Sequence, residues 1–73
     1  DMHTEQITER VGNYIVTALT QMTHSGKIAA AVSIRRGTYD RIFRFIRQFD
    51  TPDMASKYAL AEGRSMVLDN QLK

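Results

Sequence analysis

The apolar positions of this chain recur mostly three and four residues apart, the spacing that lines one face of an α-helix. Ile7, Val11, Tyr14, Ile15, Ala18, Leu19 and Met22 fall on one such stripe. The stripe predicts a long first helix over residues 4–22, with Thr4 as N-cap and Glu5 in the first turn, where the helix dipole favours an acid. Val16 lies off the stripe and is placed to meet a partner. The run Thr23-His24-Ser25-Gly26 breaks the pattern. Lys27 to Ser33 is short and alanine-rich, which suits a helix that comes close to its neighbours. After Ile34-Arg35-Arg36-Gly37, a further helix is expected from Gly37 or Thr38 to about Gln48. Its apolar residues, Tyr39, Ile42, Phe43, Phe45, Ile46 and Phe49, cover nearly half its circumference. The opposite face carries Arg36, Asp40, Arg41, Arg44, Arg47 and Gln48.

Asp50-Thr51-Pro52-Asp53 is a helix-start signal, a capping residue followed by an early proline. It predicts a short helix over Met54 to Ala59, a turn at Ala61-Glu62-Gly63, and a last helix from Arg64 to about Asn70 with a fraying polar end. A β-hairpin can also be drawn around Arg36-Gly37, but Tyr39, Ile42, Phe43, Ile46 and Phe49 keep the helical period rather than strict alternation. The expected fold is therefore all-α, a compact bundle of four to five helices.

Composition narrows the class. Seventy-three residues make one domain at most, with a small core. A chain 42% hydrophobic and 25% charged is ordinary for a globular protein and unlike a disordered one. There is no cysteine, so no disulfide or thiolate metal site, which fits a reducing cytoplasm. No apolar run approaches the roughly 20 residues that cross a bilayer. The polar N-terminus does not read as a signal peptide. Asp1 precedes Met2, and two readings stay open: Asp1 is a remnant before the natural start, or the chain is a piece of a longer one.

Charge changes the picture more. Residues 27–47 hold six Lys or Arg and one acid, a net of +5, while the remainder holds four basic and seven acidic residues, a net of −3. A basic segment in a mildly acidic remainder suggests one face made for a polyanion. Other chemistry is not evident. His3 and His24 have no ligand partners at metal spacing, Gly37 stands outside any GxxxxGK loop, and the acids form no acid–base pair. No enzyme activity, metal, cofactor or small-molecule ligand is expected.

The segment from Lys27 to Arg47 carries a pattern of packing positions. Ile28-Ala29 supplies an apolar and a small residue, Val32 faces the core, Ser33 sits where glycine is usual, Ile34 plugs the corner, and Tyr39 and Ile42 face inward. This resembles the helix-turn-helix of many prokaryotic transcription regulators. The resemblance implies a DNA-binding domain spanning residues 1–73, with a recognition helix over about 36–48 in the major groove. It implies that Arg35 and Arg36 contact guanines, Thr38 a phosphate or a thymine methyl, and Arg41 and Arg44 the groove beyond. Lys27 would reach a phosphate, and Arg47 the DNA backbone or only solvent as a surface charge. Asp40 would pair with Arg36 or Arg44, or accept from a cytosine.

A weaker copy lies downstream. Met54, Ala55, Tyr58, Ala59, Leu60 and Leu68 take the places of Ile28, Ala29, Val32, Ser33, Ile34 and Ile42. The stretch DMASKYALAEGRS is similar to part of the fimbrial-operon regulators of the PapB type. That resemblance would make Glu62, Arg64, Ser65 and Asn70 the readers, in the second of two overlapping three-helix units. Either way the expectation is a bacterial, phage or plasmid transcription regulator that binds double-stranded DNA as a homodimer. The dimer surface would be the first helix or the C-terminal one. The alternative is a protein-interaction module with no nucleic-acid role, whose apolar surface (Tyr39, Phe43, Phe45, Phe49) docks a partner helix. RNA binding is disfavoured, because no exposed aromatic platform with interleaved basic residues is evident.

Overall fold

The computed structural model describes residues 7–69. Its element order is β1 (Thr8–Val11), β2 (Tyr14–Met22), β3 (Ile28–Arg36), β4 (Tyr39–Phe49) and α1 (Pro52–Leu68). The strands form one antiparallel sheet in the order β1-β2-β3-β4, each paired with its neighbour in sequence. The helix lies across one face, mainly over β2 and β3. The all-α bundle is overturned: residues expected in the first three helices lie in strands, and the rejected hairpin at Arg36-Gly37 is the β3–β4 turn. Thr4 and Glu5, assigned to a helix start, lie outside the described residues.

The turns explain why the chain doubles back so tightly. Tyr39 pairs with Arg36, so only Gly37 and Thr38 connect β3 to β4. Gly37 has φ +62°, the left-handed value that the first residue of a primed hairpin turn requires and that a side chain disfavours. Gly12 and Asn13 make the same two-residue connection between β1 and β2. The β2–β3 loop is closed by Gly26 N donating to Thr23 O and Thr23 N donating to Lys27 O.

Alternation within the strands assigns the two faces. In β3, Ile28, Ala30, Val32 and Ile34 are buried under the helix, and the residues between them point to the other face. Val16 and Ala18 of β2 are buried on the same side. Val16, expected at a dimer surface, has no exposure at all. β4 is longer and irregular. Its register shifts opposite Ala29–Ala31, where Ala29 faces Gln48 and Ala31 faces Arg44. Two extra β4 residues are thus accommodated in a bulge, and Ile46 within it is 99% exposed.

The helix is one continuous element of 17 residues. Thr51 caps it, its hydroxyl accepting from Met54 N at 3.2 Å, and Pro52 begins it. The predicted start is correct, but the turn at Ala61-Glu62-Gly63 is helical, and the two short helices are one. Ala55, Ala59 and Gly63, four apart, are buried against the sheet, and these small residues let the helix axis come close. Glycine at position 63 is therefore a packing residue rather than a helix stop.

Candidate nucleic-acid interface

The fold sorts the cations into two groups. Lys27 bonds Asp50, Lys57 pairs with Asp53 one helical turn away at 3.3 Å, and Arg64 grips Glu9 with two bonds of 2.8 and 3.0 Å. Among the described residues, Arg10, Arg35, Arg36, Arg41, Arg44 and Arg47 form no ion pair. Five of these six lie at the end of β3 or on β4.

Three of the unpaired guanidiniums are held against aromatic rings. Arg36 lies 5.5 Å from the centre of Tyr14, Arg41 5.3 Å from Phe43, and Arg47 5.1 Å from Phe49 and 5.6 Å from Tyr58. A ring face attracts a cation and fixes the plane of a guanidinium, while the N–H donors at its edge stay available. The rings beside Arg47 are themselves fixed. Tyr58 meets Phe45 edge-on at 5.1 Å and Phe49 at a tilt at 5.1 Å, so the helix holds the aromatic row of β4 in place. Arg41, Phe43, Phe45, Arg47 and Phe49 share the helix side of β4 because they are odd-numbered residues of one strand. The helix covers this outer strand little, so Arg41 and Arg47 remain exposed at the molecule's edge. Arg41 lies opposite Ile34 and Gln48 opposite Ala29, so the bulged strand advances no more than about 17 Å from Arg41 to Arg47.

The remaining three arginines belong to the other face of the sheet, which no element covers among the described residues. Antiparallel pairing sets this face out in rows. Arg10, Ile15, Arg35 and Asp40 form one row, and Thr8, Thr17, Ser33 and Ile42 the next. Then come Leu19, Ala31 and Arg44, and last Gln21, Ala29 and Gln48. Two adjoining shallow troughs of about 250 and 420 Å³ run over the small residues, walled by Leu19 and Ile42. Asp40, expected to pair with Arg36 or Arg44, instead accepts a 2.6 Å bond from Ser33 Oγ and sits opposite Arg35.

Each residue expected to touch DNA can now be placed. Arg35 and Arg36 end β3 and Thr38 is in the tight turn, so none of them starts a helix. Arg41, Arg44 and Arg47 line β4, where alternation sends Arg44 to the face opposite the other two. The recognition helix over 36–48 does not exist: a strand carries side chains to both faces and cannot present them all as one helical surface. Lys27 is engaged by Asp50 and Arg64 by Glu9; both belong to the scaffold. Ser65 is exposed on the last turn of α1, with no second helix beside it among the described residues to make a helix-turn-helix. Asn70 lies outside the described residues. Phe43, Phe45 and Phe49, the docking surface of the protein-interaction alternative, pack against the helix and leave only Tyr39 well exposed.

The two ion pairs that fasten the scaffold carry the electrostatic signature. The hydrogen bond from Arg64 holds the Glu9 carboxyl below its ordinary value and raises the guanidinium of Arg64 in turn. The hydrogen bond from Lys27, with its charge, likewise lowers Asp50. Among the described residues, no three His, Asp or Glu side chains come together as a metal-holding group. No described helix is long and apolar enough to cross a membrane. Comparison with protein-family models, with curated proteins and with solved structures returned no match.

Sequence reasoning found the basic segment but missed what organises it. Arg10 and the ring partners Tyr14, Phe43 and Phe49 were absent from the expected site. The signal for two of them is in the chain: Arg41-x-Phe43 and Arg47-x-Phe49 place arginine and ring two apart, which are neighbours on a strand and not on a helix.

Proposed function

We propose that this protein binds double-stranded DNA through the phosphate backbone, using Arg36, Arg41 and Arg47 on the helix side of the sheet. The observation that carries this reading is the row of three guanidiniums laid on aromatic rings with no carboxylate partner among the described residues. An unpaired guanidinium already held beside a ring loses less freedom when it meets a phosphate, and its donors match phosphate geometry. Arg41 and Arg47 lie along one strand and Arg36 adjoins its start across the β3–β4 turn, so successive phosphates would meet the three in order. Such contacts position a protein on a duplex and carry no direct sequence information. The reading is thus of a sequence-independent DNA-binding protein of the cytoplasm, not of an enzyme.

Anisotropy of a labelled mixed-sequence duplex against salt tests it. Three phosphate contacts predict a log–log slope of about −2.7, from the usual −0.9 per contact. The triple variant Arg36→Ala, Arg41→Ala, Arg47→Ala should lose most of both the affinity and the slope. Absence of binding at the lowest salt, or a triple variant that binds like the parent, would sink the reading. Tighter binding to single-stranded DNA or to RNA would reassign the partner.

A further inference from the structure

The uncovered face of the sheet is neither polar nor randomly mixed. Its centre holds Thr17, Ser33, Ala31 and Ala29, all small, beside the larger Ile15, Leu19 and Ile42. Ile15 and Leu19 are half-buried and Ile42 is 47% exposed. We infer that this face packs against the same face of a second copy, forming a two-sheet sandwich around a two-fold axis that runs along the strands between β2 and β3.

The row order points to this axis. It lays β1 over β4 of the second copy and β2 over its β3, and keeps each row opposite itself. Arg10 then faces the second copy's Asp40, the one acid on the described face, and the contact is made twice by symmetry. Leu19 faces Ala31, a large side chain over a small one, and Ile42 faces Thr8. Ile15 meets the stem of Arg35, which can cover an apolar residue while its head stays wet. Arg44 falls at a corner, past Thr8, the first residue of β1. The perpendicular axis does worse. It sets Ile42 against Arg44 and gives neither Arg10 nor Arg35 an acid.

The face is modest in size. Four strands about 4.8 Å apart, with nine residues at about 3.3 Å each in β2 and β3, make it about 14 by 30 Å between backbone centres, below the ~800 Å² per partner of a standard interface, so the expected dimer is a weak one. Sheets packed this way lie about 10 Å apart, a separation that small central residues allow. The inference is independent of the DNA reading, because Arg36, Arg41 and Arg47 lie on the other side of the sheet.

Sedimentation of the full chain without nucleic acid, from low to high micromolar concentration, tests it. A dimer is expected. Leu19→Arg should give a monomer with unchanged far-ultraviolet dichroism, since position 19 is outside the helix-side core. Arg10→Asp and Asp40→Arg should each raise the dissociation constant at least about tenfold, equivalent to some 1.4 kcal/mol. The double variant should recover most of that loss. A monomer at every concentration, a dimer indifferent to Leu19→Arg, or a double variant no better than the singles would overturn the proposed packing. If Leu19→Arg fails to fold, the charge-reversal set decides alone.

Discussion

Gly63 lies against Val32 so closely that a Cβ built on the glycine would stand 2.8 Å from Val32 Cγ2, and 2.7 Å from Val16 Cγ1 on its other side. Both valines are fully buried, so neither has room to retreat. Alanine at a mid-helix glycine ordinarily gains about 1 kcal/mol of helix propensity. Here the overpacking cost, about 1–3 kcal/mol, outweighs it. Gly63→Ala is expected to lower thermal stability by several degrees, read by dichroism or calorimetry. The loss should shrink in a Val32→Ala background, because the clash has one partner fewer. Equal losses in both backgrounds would contradict the close approach.

The Glu9–Arg64 pair ties the edge strand to the helix. Because the pair lowers the folded-state pKa of Glu9, its contribution is full above the unfolded value near 4.5. It is lost as pH falls from there through the lowered folded value. Asp50, lowered by Lys27, adds a loss of the same sign in the acid range. Stability against urea should therefore fall as the solution is acidified through that window. Glu9→Gln should be less stable than the parent at neutral pH and show a shallower acid decline. An acid decline of unaltered steepness in Glu9→Gln would count against the pair.

Thr51 starts the only described helix, with its hydroxyl on Met54 N. Thr51→Ala should cost about 1 kcal/mol, and Thr51→Ser or Thr51→Asp should cost little, because each restores an acceptor. Urea midpoints of the three variants give the comparison. Alanine as stable as serine would mean that Pro52 alone sets the helix start.

Arg41→Lys and Arg47→Lys separate charge from ring stacking. Both keep the cation, so the salt slope of duplex binding should hardly change. Both lose the planar group over Phe43 or Phe49, and the affinity at fixed salt should drop several-fold, the order of an exposed cation–π contact of about 0.5–1 kcal/mol. Lysine variants that bind like the parent would leave the rings with a structural role only.

The helix start at Thr51-Pro52 and the concentration of charge in residues 27–47 were legible in the sequence, and the strands were not. Two physical causes hid them. The sheet has one covered face and one half-apolar open face, so Ile15 and Leu19 stand between Tyr14, Val16 and Ala18 and fill in a helical stripe. In β4 the bulge adds Ile46 between alternating aromatic residues, turning a period of two into an apparent three-and-four. The turn chemistry argued the other way. Gly12-Asn13, Ser25-Gly26 and Gly37-Thr38 punctuate the chain at hairpin intervals; the first was read through, the second as a break and the third as the start of a helix. The recognition helix failed with the period, because the same misreading placed Arg41, Arg44 and Arg47 on one surface.

The meander has a bearing on how the chain reaches this state. Every strand closes onto the one just before it, across two to five connecting residues, so little loop entropy is spent at any step. Such local pairing favours rapid folding for a sheet protein. On a ribosome the four strands would emerge and zip in order, with α1 last of the five elements. Until α1 arrives, Val16 and Val32 face water, and the arriving helix is the step that makes the hairpins a stable molecule.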